Sequence, residues 1–130
     1  MVWFSKAKHI EVWDEPVAEQ LGDIEAAQKI RAICHTAADS AEKVGTSEGR
    51  APKKLQVDRD RYERAAKAAM AIAMKISDEL VRDSAVREIV GLCMKAHNMK
   101  TARALFRAIH SGSIKAEVLK EHPTLEGEAE

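Results

Sequence analysis

The sequence predicts an all-α fold, a compact bundle of antiparallel helical hairpins. Three observations support this prediction. Apolar residues recur at steps of three and four along most of the chain. Aromatic residues make up only 4% of the 130 residues, which suits packed helices better than sheets. Turn signals separate the periodic stretches, and the length is that of a single domain.

The first 13 residues are predicted to form an N-terminal arm. Trp3, Phe4 and Trp13 are three of the five aromatic residues of the chain. The arm either packs back onto the helices as an irregular segment or short strand, or presents Trp3 and Trp13 as anchors for a partner.

Residues 14–122 are predicted to form one helical domain. Its first helical stretch begins with Asp14 and Glu15 ahead of Pro16 and stops at Gly45. Gly22 and Asp23 leave open whether this stretch is one helix or two. The apolar stripe of the stretch consists of Val17, Leu21, Ile24, Ala27, Ile30, Cys34, Ala37, Ala41 and Val44.

A mobile loop is predicted at residues 45–57, which have two glycines, a proline and no helical stripe. The next helix is predicted to start at Asp60, since Asp60 and Glu63 have the spacing of a capping box. The tail, residues 123–130, is acidic and is predicted to fray.

Three further helices are predicted, with N-caps at Ser77 or Asp78, at Asn98 and at Ser113. The first of them has apolar residues on two adjoining sides, as a helix in the middle of a bundle requires. The predicted core of the C-terminal hairpins consists of Ile76, Ile89, Leu105, Phe106 and Ile109.

Two stretches of the C-terminal half keep a common register, with an offset of 33 residues. Aligning residue 69 with residue 102 pairs Ile76 with Ile109 and keeps the turn, the cap and both helix faces in step. The sequence AIAMKISDELVRDSAVREIVGLCMKAHNMKTARALFRAI lies in this region. Over residues 66–121 the chain resembles the bacterial α-hairpin repeats of tetratricopeptide type, with His97 and Asn98 standing where that repeat has a Gly-Asp turn. The resemblance implies a tetratricopeptide-like or short right-handed α–α stack that binds proteins or peptides and has no active site.

Charge and hydropathy indicate which classes of function the sequence does not favour. The 21 basic and 21 acidic residues cancel, so no overall field favours nucleic acid or an anionic membrane. The first residues lack the apolar core of a signal peptide, and no stretch approaches the ~18 apolar residues of a spanning helix. We therefore expect a cytoplasmic protein. Cys34 and Cys93 fall within helical patterns and are predicted to be buried free thiols.

The residues offer little for catalysis or metal binding. The histidines show no metal-ligand spacing with Cys or Asp, and Cys93 with His97 is the only local pair of nucleophile and base. We predict no enzyme, metal or cofactor. The charges at Arg82, Asp83, Arg87, Glu88 and Lys95 indicate either a solvated, ion-paired helix face or a groove for a charged peptide.

The leading hypothesis is a non-enzymatic protein–protein interaction module, acting as an adaptor, a regulator or a subunit of a larger assembly. A protein or peptide partner is expected, and self-association is an option. The candidate partner-facing residues are Lys67, Met70, Met74, Arg103 and Arg107, together with Trp3 and Trp13. Alternatively, Met70 and Met74 touch the N-terminal arm.

The alternative hypothesis is a small nucleic-acid-associated regulator that uses the basic segment 50–67. Its candidate phosphate-binding residues are Arg50, Lys53, Lys54, Arg59, Arg61 and Arg64. Acidic residues and a single aromatic residue, Tyr62, are interspersed among them.

Overall fold

The structure, a computed structural model, describes residues 11–14, 21–46, 49 and 51–126, and within these ranges it is helical without strands. The five α-helices are α1 (Asp23–Thr46), α2 (Pro52–Ala73), α3 (Glu79–Lys95), α4 (Met99–Ala108) and α5 (Gly112–Glu121). Two 3-10 helices, Val12–Asp14 and Pro123–Leu125, flank them in the chain. The prediction of an all-α bundle is confirmed.

Two of the predicted helix starts are confirmed by side-chain caps. A carboxylate oxygen of Asp78 accepts from the backbone N–H of Val81 at 2.9 Å, and the Asn98 side chain accepts from Thr101 at 3.3 Å. The cap of α5 is Ser111, whose hydroxyl accepts from the N–H of Ile114 at 3.2 Å. The prediction of Ser113 is wrong, because that residue already lies inside α5.

The predicted extent of the long loop is also wrong. α1 continues to Thr46 and α2 begins at Pro52, so both ends of the range 45–57 are helical. Proline suits the first turn of a helix, since its φ is preset and its missing N–H would have no partner there. Asp60 consequently lies inside α2 and is not a cap.

The long helix of the first helical stretch begins at Asp23, in line with the alternative of a break at Gly22 and Asp23. Leu21 and Gly22 are not helical, and α1 begins at Asp23. The carboxylate of Asp23 accepts from the backbone N–H groups of Ser77 and Asp78 at 3.0 and 2.8 Å, which ties this end of α1 to the turn between α2 and α3. Residues 15–20 lie outside the described ranges.

The directions of the helices are fixed by the contacts between them. α2 is antiparallel to α1, because Asp58 near its start contacts Ser40 while its end meets Asp23. α3 runs parallel to α1, since Glu88 pairs with Arg31 and Lys95 with Glu42. α5 has the same direction: Ser111 at its start binds Asp83, and Glu121 at its end binds Arg87. α3 contacts all four other helices.

The core lies around α3 and is filled mainly by isoleucine, valine and alanine. Ile76, Ile89 and Ile109 are buried as predicted. Leu105 and Phe106 are only partly buried. The buried residue of the short helix α4 is Ala102. Ile24, predicted in the apolar stripe of α1, is 62% exposed at the first turn of that helix.

The described part of the N-terminal arm packs onto α2. Trp13 is only 7% exposed, and the guanidinium of Arg61 lies 5.1 Å from the centre of its indole ring. Arg61 also binds both carboxylate oxygens of Glu11, at 3.0 and 3.1 Å, and donates to the Ser40 hydroxyl at 2.7 Å. Trp13 is therefore a core residue and not an exposed anchor, whereas Trp3 lies outside the described ranges.

The end of the chain departs from the prediction of a frayed tail. Residues 123–125 form a 3-10 helix, and Leu125 is buried. Residues 127–130 lie outside the described ranges. Among the helices of the described part of the chain, none combines the length and the apolar character needed to cross a bilayer.

Candidate functional site

The parallel helices α1 and α3, with the end of α5, enclose an open groove of about 780 Å³. A smaller cleft of about 200 Å³ extends it toward Ile24 and shares Arg31, Ser84 and Glu88 with it. At its other end the groove shares Gly91 and Lys95 with a pocket of about 690 Å³ beside the C-terminal turn. The shared residues place the three cavities next to one another along the solvent side of α3.

Two small residues of α3, Ser84 and Gly91, line the groove. Gly91 lies in the interior of α3, and a Cβ atom built there would meet no other atom within 4 Å. Ser84 lies two turns earlier on the same face. A glycine inside a helix costs roughly 0.5–1 kcal/mol relative to alanine. At Gly91 no packing constraint offsets that cost, and its effect is to keep the groove open.

Arg87 closes one wall of the groove by binding α5. Its guanidinium donates to Glu117 and to Glu121, each at 2.5 Å. The hydrogen bond from Arg87 lowers the pKa of Glu121 below its ordinary value, and the same bond raises the pKa of Arg87. This wall is therefore held together by charge-assisted hydrogen bonds.

The other charged residues of the groove are held loosely. Arg31 is 75% exposed, and its Nε atom lies 3.5 Å from Glu88. The ammonium of Lys95 lies 3.5 Å from Glu42. Exposed pairs of this kind contribute about 0–1 kcal/mol. A carboxylate from a ligand can therefore replace Glu88 beside Arg31, or Glu42 beside Lys95, at little cost.

Both cysteines are free and buried, as predicted. Cys34 lines the groove, and burial raises the pKa of its thiol to about 12. Burial also raises the pKa of Cys93, which a hydrogen bond with Tyr62 partly opposes. His97, four residues after Cys93, is exposed and has a positive φ of 59°. The arrangement offers neutral thiols and no activated nucleophile.

We expect the free energy of unfolding to fall above about pH 9. The folded pKa of the Cys34 thiol lies above its ordinary value of 9.0, so the folded chain keeps a proton that the unfolded chain loses. Between the ordinary pKa of 9.0 and the folded pKa of about 12, the Cys34 thiol lowers the free energy of unfolding by about 1.4 kcal/mol per pH unit. Urea unfolding at pH 8, 9, 10 and 11 measures it. The variant Cys34→Ala should have a shallower slope, and a flat profile in the parent would contradict the burial of both thiols.

The predicted partner-facing residues lie on helices that do not line the groove. Lys67 is exposed on α2, Met74 just after the end of α2, and Arg107 on α4. Met70 and Arg103 are partly buried. Met74 is 80% exposed, at the same end of the bundle as Ile24 and Leu80. The structure thus brings none of the five to the groove.

Two arginines of the basic segment 50–67 form ion pairs with residues before α1. Arg61 is bound to Glu11 of the arm, and Arg64 to Asp14, the residue after the arm, at 2.7 Å. Lys53 and Lys54 are exposed in the first turn of α2, and Arg59 is partly buried. Arg50 lies outside the described ranges. Of the five residues that the structure describes, Arg61 and Arg64 are thus paired with carboxylates, while Lys53 and Lys54 are exposed.

The charges of α3 that were predicted to form a solvated, ion-paired face or a peptide groove have different surroundings. Asp83 is buried, and Arg82 pairs with Glu79 of the same helix. Arg87, Glu88 and Lys95 pair with neighbouring helices. Sequence reasoning did not single out Arg31, His35 or Gly91 as groove residues. The isolated glycine inside a strong helical pattern was the available signal for Gly91.

Comparison of the chain with protein-family models, with curated proteins and with solved structures finds no match. Within the described ranges, no three His, Cys, Asp or Glu residues are grouped so that they could hold a metal ion.

Proposed function

We propose that this protein is a non-enzymatic interaction module that binds a segment of a partner protein in the groove along α1 and α3. The open groove carries the proposal: its wall residues on α1 extend from Ile24 to Ala38. At about 1.5 Å per residue this is roughly 21 Å, the length of about six residues of extended peptide. The shape suits a chain segment better than a compact small molecule.

The chemistry of the groove supports the same proposal. Two of its cations, Arg31 and Lys95, are paired through long, exposed contacts, and Arg87 is held by α5. Small residues of α3 line the groove, and the Cys34 thiol is protonated. These groups can bind a peptide backbone and side chains without activating a nucleophile. An adaptor, a regulator or a subunit of an assembly fits this chemistry, and reduced thiols suit the cytoplasm.

The resemblance to tetratricopeptide-type hairpins also supports a scaffold function. Residues 33 apart have equivalent roles: Ala69 and Ala102 are fully buried, and Asp78 and Ser111 are both N-caps. We propose on this basis that the C-terminal half is built from two related hairpins, with the parallel helices supplying the binding surface.

Filling the groove is expected to abolish peptide binding. Peptides would be selected from a random display library on the purified protein and their affinities measured by fluorescence anisotropy. Gly91→Leu should fold normally, because no atom lies within 4 Å of the added Cβ, and should weaken binding at least tenfold. Circular dichroism checks that helix content is unchanged.

The matched control is the double variant Met74→Asp, Arg107→Asp, at exposed positions outside the groove. It should bind the selected peptides as the parent does. Loss of binding in this variant, together with full binding by Gly91→Leu, would move the interface to the face formed by α2 and α4.

A further inference from the structure

The basic residues of the C-terminal half have no acidic residues beside them in the sequence. Between Glu88 and Glu117 the chain has 28 residues with no Asp or Glu, five basic residues and two histidines. The rest of the chain holds 16 basic and 21 acidic residues, so a neutral chain contains one strongly positive region. The five basic residues are Lys95, Lys100, Arg103, Arg107 and Lys115.

Helix α4 gathers three of these residues on one side. Lys100, Arg103 and Arg107 follow one another at steps of three and four, which places them on one face of a helix. Ala102 lies on the opposite side and is fully buried. From Lys100 to Arg107 the face is roughly 10 Å long along the helix axis. No residue of α4 is acidic.

The charges of this face are accessible from solvent. Lys100 and Arg107 are exposed, and neither forms a salt bridge with a residue that the structure describes. Lys115 of α5 extends the face. Its ammonium lies 5.5 Å from the centre of the Phe106 ring, and Phe106 neighbours Arg103 on the surface of α4.

The acidic residues that border this region in the structure are bound to other side chains. Glu117 and Glu121 accept hydrogen bonds from Arg87 on the groove side of α5. Glu79 at the start of α3 binds the imidazole of His110, beyond the end of α4. These three carboxylates therefore leave the positive charge of the α4 face in place.

The composition of the face favours nucleic acid over a protein or a membrane. A stable protein interface has an apolar centre, and binding to a bilayer surface needs apolar side chains that insert. The apolar residues exposed on α4 are Ala104 and Ala108, and the large exposed apolar residues of the described ranges lie on other elements. Protein surfaces that bind nucleic acid are more polar and much more positively charged than protein interfaces.

We propose that the basic face of α4, formed by Lys100, Arg107 and Lys115, binds the phosphate backbone of nucleic acid without reading the base sequence. A DNA duplex carries about one negative charge per 1.7 Å of its axis, so roughly 10 Å of duplex presents about six phosphate charges. Three cations can each contact one of them. The groove is lined by α1, α3 and α5, so the two binding surfaces are separate.

The fluorescence anisotropy of a labelled DNA duplex of mixed sequence measures the binding, in a salt series from about 50 to 200 mM. Three phosphate contacts predict a slope of about −2.7 for log affinity against log salt concentration. The variant Lys100→Gln, Arg107→Gln should weaken binding at low salt about tenfold or more and reduce the slope by about 1.8. Glutamine is a good helix former, and circular dichroism checks that helix content is unchanged.

Two variants serve as controls. Lys53→Gln with Lys54→Gln removes the same charge from exposed positions of α2 and should bind the duplex as the parent does. Gly91→Leu fills the groove and should also keep duplex binding, so failure of the groove and failure of the basic face are distinguishable. Equal weakening in the Lys53 and Lys54 variant, no binding by the parent at low salt, or displacement of the duplex by polyglutamate as readily as by unlabelled duplex would overturn the proposal.

Discussion

Replacing Gly45 by alanine is expected to destabilise the protein by about 3 kcal/mol. A Cβ atom at this position would lie 2.2 Å from the carbonyl oxygen of Lys95 and 3.2 Å from Cδ2 of His97. The first neighbour is backbone, so the clash is relieved only if the last turns of α1 and α3 move apart. The free energy of unfolding, measured in urea by circular dichroism, gives the loss.

Gly91→Ala is the matched control, since it adds the same methyl group to an open position. A Cβ there meets no atom within 4 Å, and alanine favours the helix over glycine by roughly 0.5–1 kcal/mol. This variant should therefore be slightly more stable than the parent. A loss below about 1 kcal/mol in Gly45→Ala would contradict the close approach of the two helix ends.

At Gly45 the sequence predicted the end of a helix but not the contact that the glycine permits. The residue was predicted to stop the first helix, and α1 does end one residue later, at Thr46. Its contact with Lys95 could not be predicted, because it depends on which helices lie side by side. The periodicity of a helix identifies its buried face and does not identify the neighbour that covers it.

The ends of the helices were predictable where a side chain caps them. Asp78 and Asn98 are such cases. A short polar side chain just before an apolar run favours the N-cap position, where its oxygen accepts from a backbone N–H of the first turn. The start of α2 was not predicted, since Pro52 is common both in loops and in the first turn of a helix.

The candidate groove was less predictable than the fold. Arg87, Glu88 and Lys95 were noted as charges that line a groove for a charged peptide or a solvated surface. Each of them pairs with another helix, a long-range fact that one-dimensional charge patterns do not contain. Arg31 comes from α1 and joins them only because α1 packs beside α3.

Asp83→Ala is expected to cost about 3 kcal/mol of unfolding free energy. The Asp83 side chain is 1% exposed, and its Oδ2 atom accepts from the backbone N–H groups of His110 and Ser111 at 3.1 and 2.8 Å. Alanine removes the carboxylate acceptor of two part-buried N–H groups that are satisfied by no helical bond, and loss of a hydrogen bond to a charged group costs about 1.5–3 kcal/mol. Urea unfolding of the variant measures the loss.

Asp83→Asn separates the hydrogen bonds from the charge. The asparagine carbonyl can still accept from both N–H groups, so we expect a loss smaller than that of alanine. Ser84→Ala, at the adjacent exposed position, should change stability by less than about 0.5 kcal/mol. Equal effects of alanine at positions 83 and 84 would contradict the burial of Asp83. A large effect at 83 alone would show that this carboxylate holds the start of α5 against α3, on the side of the bundle where α5 forms one wall of the groove.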